Sequence, residues 1–178
     1  MYVNFNVNSG GISGGISGAI FDINSNEAIT HAEKYYGFIR SIDYDVERIS
    51  INTGFSIEQI NMVKNYIFYD KHNLDIGYER FEPDFCMAQS WRRLAFEPEN
   101  ILPHDIMLIK HELYEMIFIA QGIPYREAHI KSCKDGYDYP TMCKEYYTML
   151  KKKKENKNKQ VNMLKYSKDR NDIDDFER

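Results

Sequence analysis

The chain has 178 residues, of which 43% are apolar, and a net charge of −4, which suits one domain with a substantial core. No apolar run is long enough to span a membrane, and the N-terminus lacks the basic start and apolar stretch of a Sec signal, so we expect a cytoplasmic protein or one delivered by a specialised secretion route. Three cysteines without a CxxC pair argue against a disulfide framework and indicate a reducing compartment.

Charge divides the chain unevenly. Residues 1–149 contain 13 Lys and Arg against 21 Asp and Glu, a net charge of −8, whereas residues 150–178 contain 10 against 6, a net charge of +4. An acidic body binds nucleic acid poorly unless it carries a local basic site, because Lys and Arg supply the affinity for phosphate. We predict three segments: a Gly/Ser-rich leader or linker with a short extended stretch (1–25), a helical domain (26–150) and a basic, disordered tail (151–178).

The first predicted helix runs from about Asn26 to Arg40 and is capped by Ser25. Its inward stripe consists of Ile29, Ala32, Tyr36 and Ile39.

A helix-turn-helix-like hairpin follows. Asp45 is expected to cap a short helix, Thr53-Gly54 form a turn, and Ser56 caps a longer helix with Gln59 completing a capping box. A DNA-reading use would expose a set of polar side chains on the second helix, namely Gln59, Asn61, Lys64 and Asn65. The acidic body favours a structural use instead.

The later helices complete an all-α fold, a compact bundle of six or seven helices. The fourth helix begins near Pro83 and carries Met87, Trp91 and Leu94. The seventh begins at Pro140 and ends in Lys151 to Lys154, where cations favour a helix C-terminus.

The fifth helix is strongly apolar and yet carries His111, Glu112 and Glu115. Asp105 is its expected N-cap and Gly122 its C-terminal stop. We predict a core stripe formed by Ile106, Ile109, Leu113, Met116 and Ala120. His111 and Glu115 stand at i and i+4 on a neighbouring stripe. Because burying ionisable groups is costly unless they are paired, metal-bound or used, these three residues indicate a site.

A sixth helix, from Tyr125 to about Lys134, follows the short loop Gly122-Ile123-Pro124. So short a loop requires a sharp reversal of the chain. We therefore predict that His129 lies within contact range of the face that carries His111 and Glu115.

Several motifs follow in a fixed order: DVERISINTGFS, NYIFYDKHNL, ERFEPDFCMAQSWRRL, LPHDIMLIKHELYEMIFIAQGIPYREAH and YDYP. Over residues 26–140 the chain resembles a helical module found at the C-termini of bacterial polymorphic toxins and phage-associated head or secretion proteins. The resemblance implies an effector with a cognate immunity protein. It also implies a site near Arg80, Asp84, His111, Glu112, Glu115 and His129. The basic tail after Leu150 departs from such a module, which normally ends near its last helix.

Hydrolysis is the expected activity, and a nuclease is slightly favoured because that is the commonest activity of such modules. Two histidines, glutamates and an arginine can cleave RNA by acid–base chemistry, with Arg80, Arg92 or Arg93 holding the phosphate. The catalytic set is then His111, Glu112, Glu115, His129 and Arg80. A structural ion pair between Arg80 and Glu112 or Glu115 is the simpler alternative.

A metal-dependent, peptidase-like hydrolase is the second hypothesis, because HELYE resembles the zinc-binding HExxH with the second histidine replaced. His111, Glu115 and His129 would bind a divalent metal such as zinc, and Glu112 would activate water. An intrahelical His111–Glu115 pair without a metal remains open. The third hypothesis is a non-enzymatic helical module that binds DNA or protein. The expected substrate is nucleic acid or protein in a target cell, and no membrane partner is expected.

Overall fold

The computed structural model describes residues 22–174, and side chains as far as residue 163. It confirms an all-α fold with seven helices in this part of the chain. The predicted extended stretch and most of the leader lie outside the described residues. The helices and strands are α1 (Asn26–Arg40), α2 (Asp45–Thr53), α3 (Ile57–Phe68), β1 (His72–Leu74), β2 (Gly77–Glu79), α4 (Phe85–Phe96), α5 (Pro103–Ala120), α6 (Tyr125–Lys134) and α7 (Tyr139–Asp174).

A small antiparallel hairpin, β1–β2, and a short 3-10 helix, Pro98–Asn100, were not predicted from the sequence. His72 pairs with Glu79 and Leu74 with Gly77, which leaves a two-residue turn. Gly77 has a φ of 125°, a backbone conformation that side-chain-bearing residues rarely adopt. Strands of three residues are too short for the alternating apolar pattern to be recognised.

Three of the helix-end signals predicted in the first half of the chain are confirmed. Ser25 accepts a hydrogen bond from the backbone N–H of Ala28, and Ser56 and Gln59 form the predicted capping box. Gly54 ends α2 in the left-handed conformation. The predicted inward position of Ile29 was wrong, since this side chain is 47% exposed.

Asp45 does not cap α2. It is fully buried, and its carboxylate lies 2.6 Å from Lys64 Nζ and 2.8 Å from Trp91 Nε1, so it joins α2, α3 and α4. The buried Coulomb attraction to Lys64 and the indole N–H explain the departure from a solvent-facing cap. Lys64 itself is 4% exposed, so the predicted DNA-reading face loses its only cation.

Asp105 is likewise not an N-cap. α5 begins two residues earlier, at Pro103, and Asp105 accepts the Leu102 backbone N–H at 2.8 Å from within the first turn. The same carboxylate receives two hydrogen bonds from Arg93, at 2.6 and 2.7 Å. This buried, bidentate pair locks α4 to the start of α5.

The core stripe predicted for α5 is confirmed at Ile109, which is fully buried, but its other positions are less enclosed. The most buried positions are Leu108, Ile109, His111, Glu112, Glu115 and Phe118, together with His104 and Asp105 at the start. Ile106, Leu113 and Met116 are only half-buried, and Ala120 is exposed. Helices α3, α4, α6 and α7 all contact α5, so the polar stripe is enclosed from several sides. The fold therefore buries the ionisable side chains more completely than the apolar ones beside them.

The tail expected to be disordered is helical as far as Asp174, which corrects that expectation for residues 151–174. No Gly or Pro interrupts residues 141–174, and Lys, Leu, Met and Gln are good helix formers. Residues 151–163 are all exposed, so this part of α7 extends from the body without burying a face. Within the described residues, no helix combines the length and apolarity needed to cross a membrane.

Candidate functional site

The candidate site lies where α5 and α6 pack against each other. Gly122 reverses the chain with a φ of 83°, and the backbone N–H of Ile123 bonds to the Phe118 carbonyl at 3.1 Å. This tight turn packs α6 against α5, as predicted from the short loop between them. His129 then meets the face of α5 that carries His111 and Glu115.

Three side-chain atoms, one each from His111, Glu115 and His129, lie close together at this interface. His129 Nδ1 lies 3.1 Å from His111 Nε2 and 2.8 Å from Glu115 Oε2, and the remaining His111–Glu115 distance is 3.4 Å. The His111 and Glu115 side chains are each 1% exposed, whereas that of His129 is 33% exposed. Solvent therefore reaches the cluster from the His129 side.

The second nitrogen of His111 defines its protonation. Nδ1 lies 2.5 Å from the Tyr137 carbonyl oxygen, which can only accept, so Nδ1 carries a proton. A contact of 3.1 Å between His111 Nε2 and His129 Nδ1 accommodates at most one proton. Only one of these two nitrogens can therefore donate in their mutual contact, and His129 Nδ1, 2.8 Å from Glu115 Oε2, is placed to donate to the carboxylate.

Glu115 is held in its ionised form. Burial alone would raise its pKa, but the contacts with His111 and His129 and a 2.6 Å hydrogen bond from the Tyr66 hydroxyl lower the pKa to about 2. Tyr66 comes from α3, and the sequence analysis did not identify it. It fixes Oε1 of the carboxylate and leaves Oε2 facing the two histidines.

Glu112 is as buried as Glu115 but lacks the contacts that lower the pKa of Glu115. It is 2% exposed, and no hydrogen bond holds its carboxyl group within the described part of the chain. Burial raises its pKa well above the ordinary value, and the nearby negative charges of Glu115 and Asp84 raise it further. Glu112 therefore favours its neutral form, whereas the contacts of Glu115 favour its ionised form.

The arginines proposed for phosphate binding lie elsewhere. Arg80 is exposed and donates to the Tyr69 carbonyl at 2.9 Å, so the predicted pairing with Glu112 or Glu115 is not formed. Arg92 pairs with Glu97 and Arg93 with Asp105.

Asp84, which the resemblance placed near the site, caps α4. Its Oδ1 accepts the Met87 backbone N–H at 2.7 Å. Asp84 influences Glu112 through its charge and makes no contact with the histidines within the described residues.

Cys133 is the second residue that the sequence analysis missed. Its Sγ lies 3.9 Å from His129 Nε2, on the ring edge opposite Glu115. Burial raises the pKa of this thiol to about 11, so in the metal-free protein it is not a thiolate nucleophile. The spacing of His129 and Cys133, four residues apart on one helix face, was the available signal.

Comparisons with protein-family models, with curated proteins and with solved structures found no match to this chain.

Proposed function

We propose that the chain is a metal-dependent hydrolase whose centre is a divalent cation, zinc by preference, bound by His111, Glu115 and His129. The spacing of the three donor atoms carries this proposal. Around a tetrahedral ion with bonds of 2.0–2.1 Å, neighbouring ligand atoms lie about 3.3 Å apart. The separations here are 3.1, 2.8 and 3.4 Å, so the ligands need little rearrangement.

The groups behind the ligands support the same assignment. Histidine ligands commonly donate their second ring N–H to a carbonyl or carboxylate, which fixes the tautomer. His111 does so through Nδ1 to the Tyr137 carbonyl. Tyr66 orients the Glu115 carboxylate from the opposite side. A metal bound here would therefore take the place of the proton that His129 Nδ1 shares with His111 and Glu115.

Because the cluster is partly exposed on its His129 side, water could reach a bound metal ion there. A divalent cation there would lower the pKa of a water molecule and supply a nucleophile at neutral pH. The positive charge of the cation would also favour the ionised form of Glu112, which is neutral without it. Glu112 is then the candidate proton acceptor, in the position that the glutamate of HExxH occupies relative to its first histidine.

We place this hydrolase in an effector context because of the resemblance over residues 26–140. Nucleic acid or protein in a target cell is the proposed substrate, and an immunity protein is the proposed partner. A metal-free nuclease is less well supported, because its three candidate phosphate-binding arginines are engaged elsewhere. A DNA-binding helix-turn-helix is less well supported because Lys64 is buried.

Metal analysis tests this proposal directly. Purified protein, reconstituted with zinc and freed of excess, should retain one ion per chain, and His111→Ala and Glu115→Gln should lose it. Glu127→Gln, on the exposed first turn of α6, is the matched control and should retain the ion. Absence of zinc from the wild-type protein, or equal retention in all variants, would overturn the metal assignment.

A further inference from the structure

The part of α7 that leaves the body carries a concentrated positive charge. Residues 151–163 contain six lysines and one glutamate, a net charge of +5, whereas residues 1–149 carry a net charge of −8. All residues of this stretch are exposed, and all are helical. One of the lysines, Lys151, lies 3.8 Å from Asp22, but both side chains are more than half exposed, so the pair is weak. The chain therefore presents a cationic helix beside an acidic domain.

The ends of the helix do not account for this charge. Cations stabilise the last turn of a helix, where the macrodipole is negative, and for that reason the run Lys151–Lys154 was expected to end α7. The helix instead continues to Asp174, so the run lies near its middle. Lysines four positions apart, such as Lys153 and Lys157, repel each other there, and Glu155 is the one acid within residues 151–163. A partner that supplies negative charge would relieve this repulsion.

The lysines surround the helix axis and do not mark one face. Successive residues advance by about 100°, so the run Lys151–Lys154 covers the whole circumference. A helix that lies on a membrane surface needs an apolar face, and only Val161 and Met163 are apolar in residues 151–163. A helix in the major groove of duplex DNA has phosphates on both sides, which suits cations on opposite flanks. The charge distribution thus fits duplex DNA better than a lipid surface.

We infer that residues 151–163 form a DNA-binding arm, which lies in the major groove of a duplex and contacts the phosphates through its lysines. The major groove of DNA admits an α-helix, whereas that of A-form RNA is too narrow and deep. The arm supplies the local basic site that nucleic-acid binding by so acidic a chain requires. It shares no residue with the proposed metal centre and does not depend on it.

Fluorescence anisotropy of a labelled DNA duplex with the full-length chain tests the inference. Each phosphate contact contributes about −0.9 to the slope of log K against log salt concentration. Loss of four contacts should therefore reduce the steepness of that slope by about 3.6 and weaken binding at low salt by more than about 100-fold. The arm variant for this measurement carries Lys152→Gln, Lys153→Gln, Lys157→Gln and Lys159→Gln.

A matched control removes the same charge from the body. It replaces four other exposed lysines by glutamine, namely Lys34, Lys71, Lys110 and Lys134, and should keep the wild-type slope. His111→Ala should bind the duplex as tightly as the wild-type protein does, so this test is separate from that of the metal centre. Circular dichroism and thermal unfolding verify the fold of each variant.

Several outcomes would overturn the inference. One is the absence of duplex binding by the wild-type protein at low salt, and another is equal weakening in the arm variant and the body control. Tighter binding to an RNA duplex would exclude the major groove. Binding to vesicles of anionic lipid, but not to DNA, would identify a membrane-surface helix instead. Should the arm variant not fold, acetylation of the wild-type lysines decides, because a bound duplex must protect the arm from the reagent.

Discussion

His111 and His129 lie 18 positions apart in the chain, and yet His111 Nε2 and His129 Nδ1 are separated by 3.1 Å. The turn at Gly122 and the packing of α6 on α5 produce this contact. Two imidazoles and the Glu115 carboxylate thereby share one small volume at a helix interface. Without a cation, hydrogen bonds hold them together. With a cation, the same atoms become ligands.

Expression in a bacterial cytoplasm should slow growth, and His111→Ala should relieve the effect. The reason is that His111 is a proposed metal ligand, while the toxin resemblance predicts damage to the host. Growth curves with induced, soluble protein measure this, with Glu127→Gln as the toxic control. Normal growth at a high level of soluble wild-type protein, without any inhibitor present, would speak against the effector hypothesis.

Glu112→Gln and Glu115→Gln should separate catalysis from metal binding. Glutamine closely matches the neutral carboxyl of Glu112, so this variant should keep both its fold and its metal but lose toxicity. Glutamine at Glu115 removes a charged ligand and should abolish metal retention as well. Metal content, thermal unfolding and growth are measured side by side. A fully toxic Glu112→Gln variant would exclude Glu112 from the chemistry.

Metal removal should lower the melting temperature of the wild-type protein. A ligand that binds only the folded chain stabilises it by RT ln(1 + [L]/Kd), which is about 2.7 kcal/mol when the ligand concentration is 100 times Kd. The His111→Ala variant should unfold at the same temperature with and without a chelator. An identical melting temperature of the wild-type protein in zinc and in chelator would contradict specific binding.

Asp45→Ala should destabilise the fold by about 3–5 kcal/mol, because it leaves Lys64 buried without its partner. Arg126→Ala is the matched control, since it removes an ion pair with Asp75 whose side chains are 74% and 75% exposed. A pair so exposed is expected to contribute about 0–1 kcal/mol. Denaturant unfolding compares the two. Equal effects would show that the Asp45 network contributes little.

Removing residues 1–21 and 156–178 should leave the fold intact, whereas trimming residues 1–25 also removes the Ser25 cap of α1 and should lower stability by about 1 kcal/mol. Residues 151–163 are exposed along α7 and contribute no buried face. Limited proteolysis should yield a core of about residues 22–155 that unfolds at the temperature of the full chain. Unfolding after trimming of either end would show that these segments support the domain.

The sequence alone determined the helices and their ends where the signal is local. The cap at Ser25, the capping box at Ser56 and the turn at Gly122 depend on neighbouring residues and short-range geometry. The contact of His129 with the α5 face could also be predicted, because a short loop permits few arrangements of two helices.

Tertiary structure alone decided which polar groups are buried and what they meet. Asp45 has the sequence context of a cap but is enclosed by Lys64 and Trp91, which lie 19 and 46 positions away. Arg80 donates to the Tyr69 carbonyl instead of pairing with the site glutamates, which the sequence did not predict. Tyr66 contacts Glu115 because α3 packs against α5. Burial and pairing at long sequence separation depend on how whole helices pack, and no local pattern encodes that information.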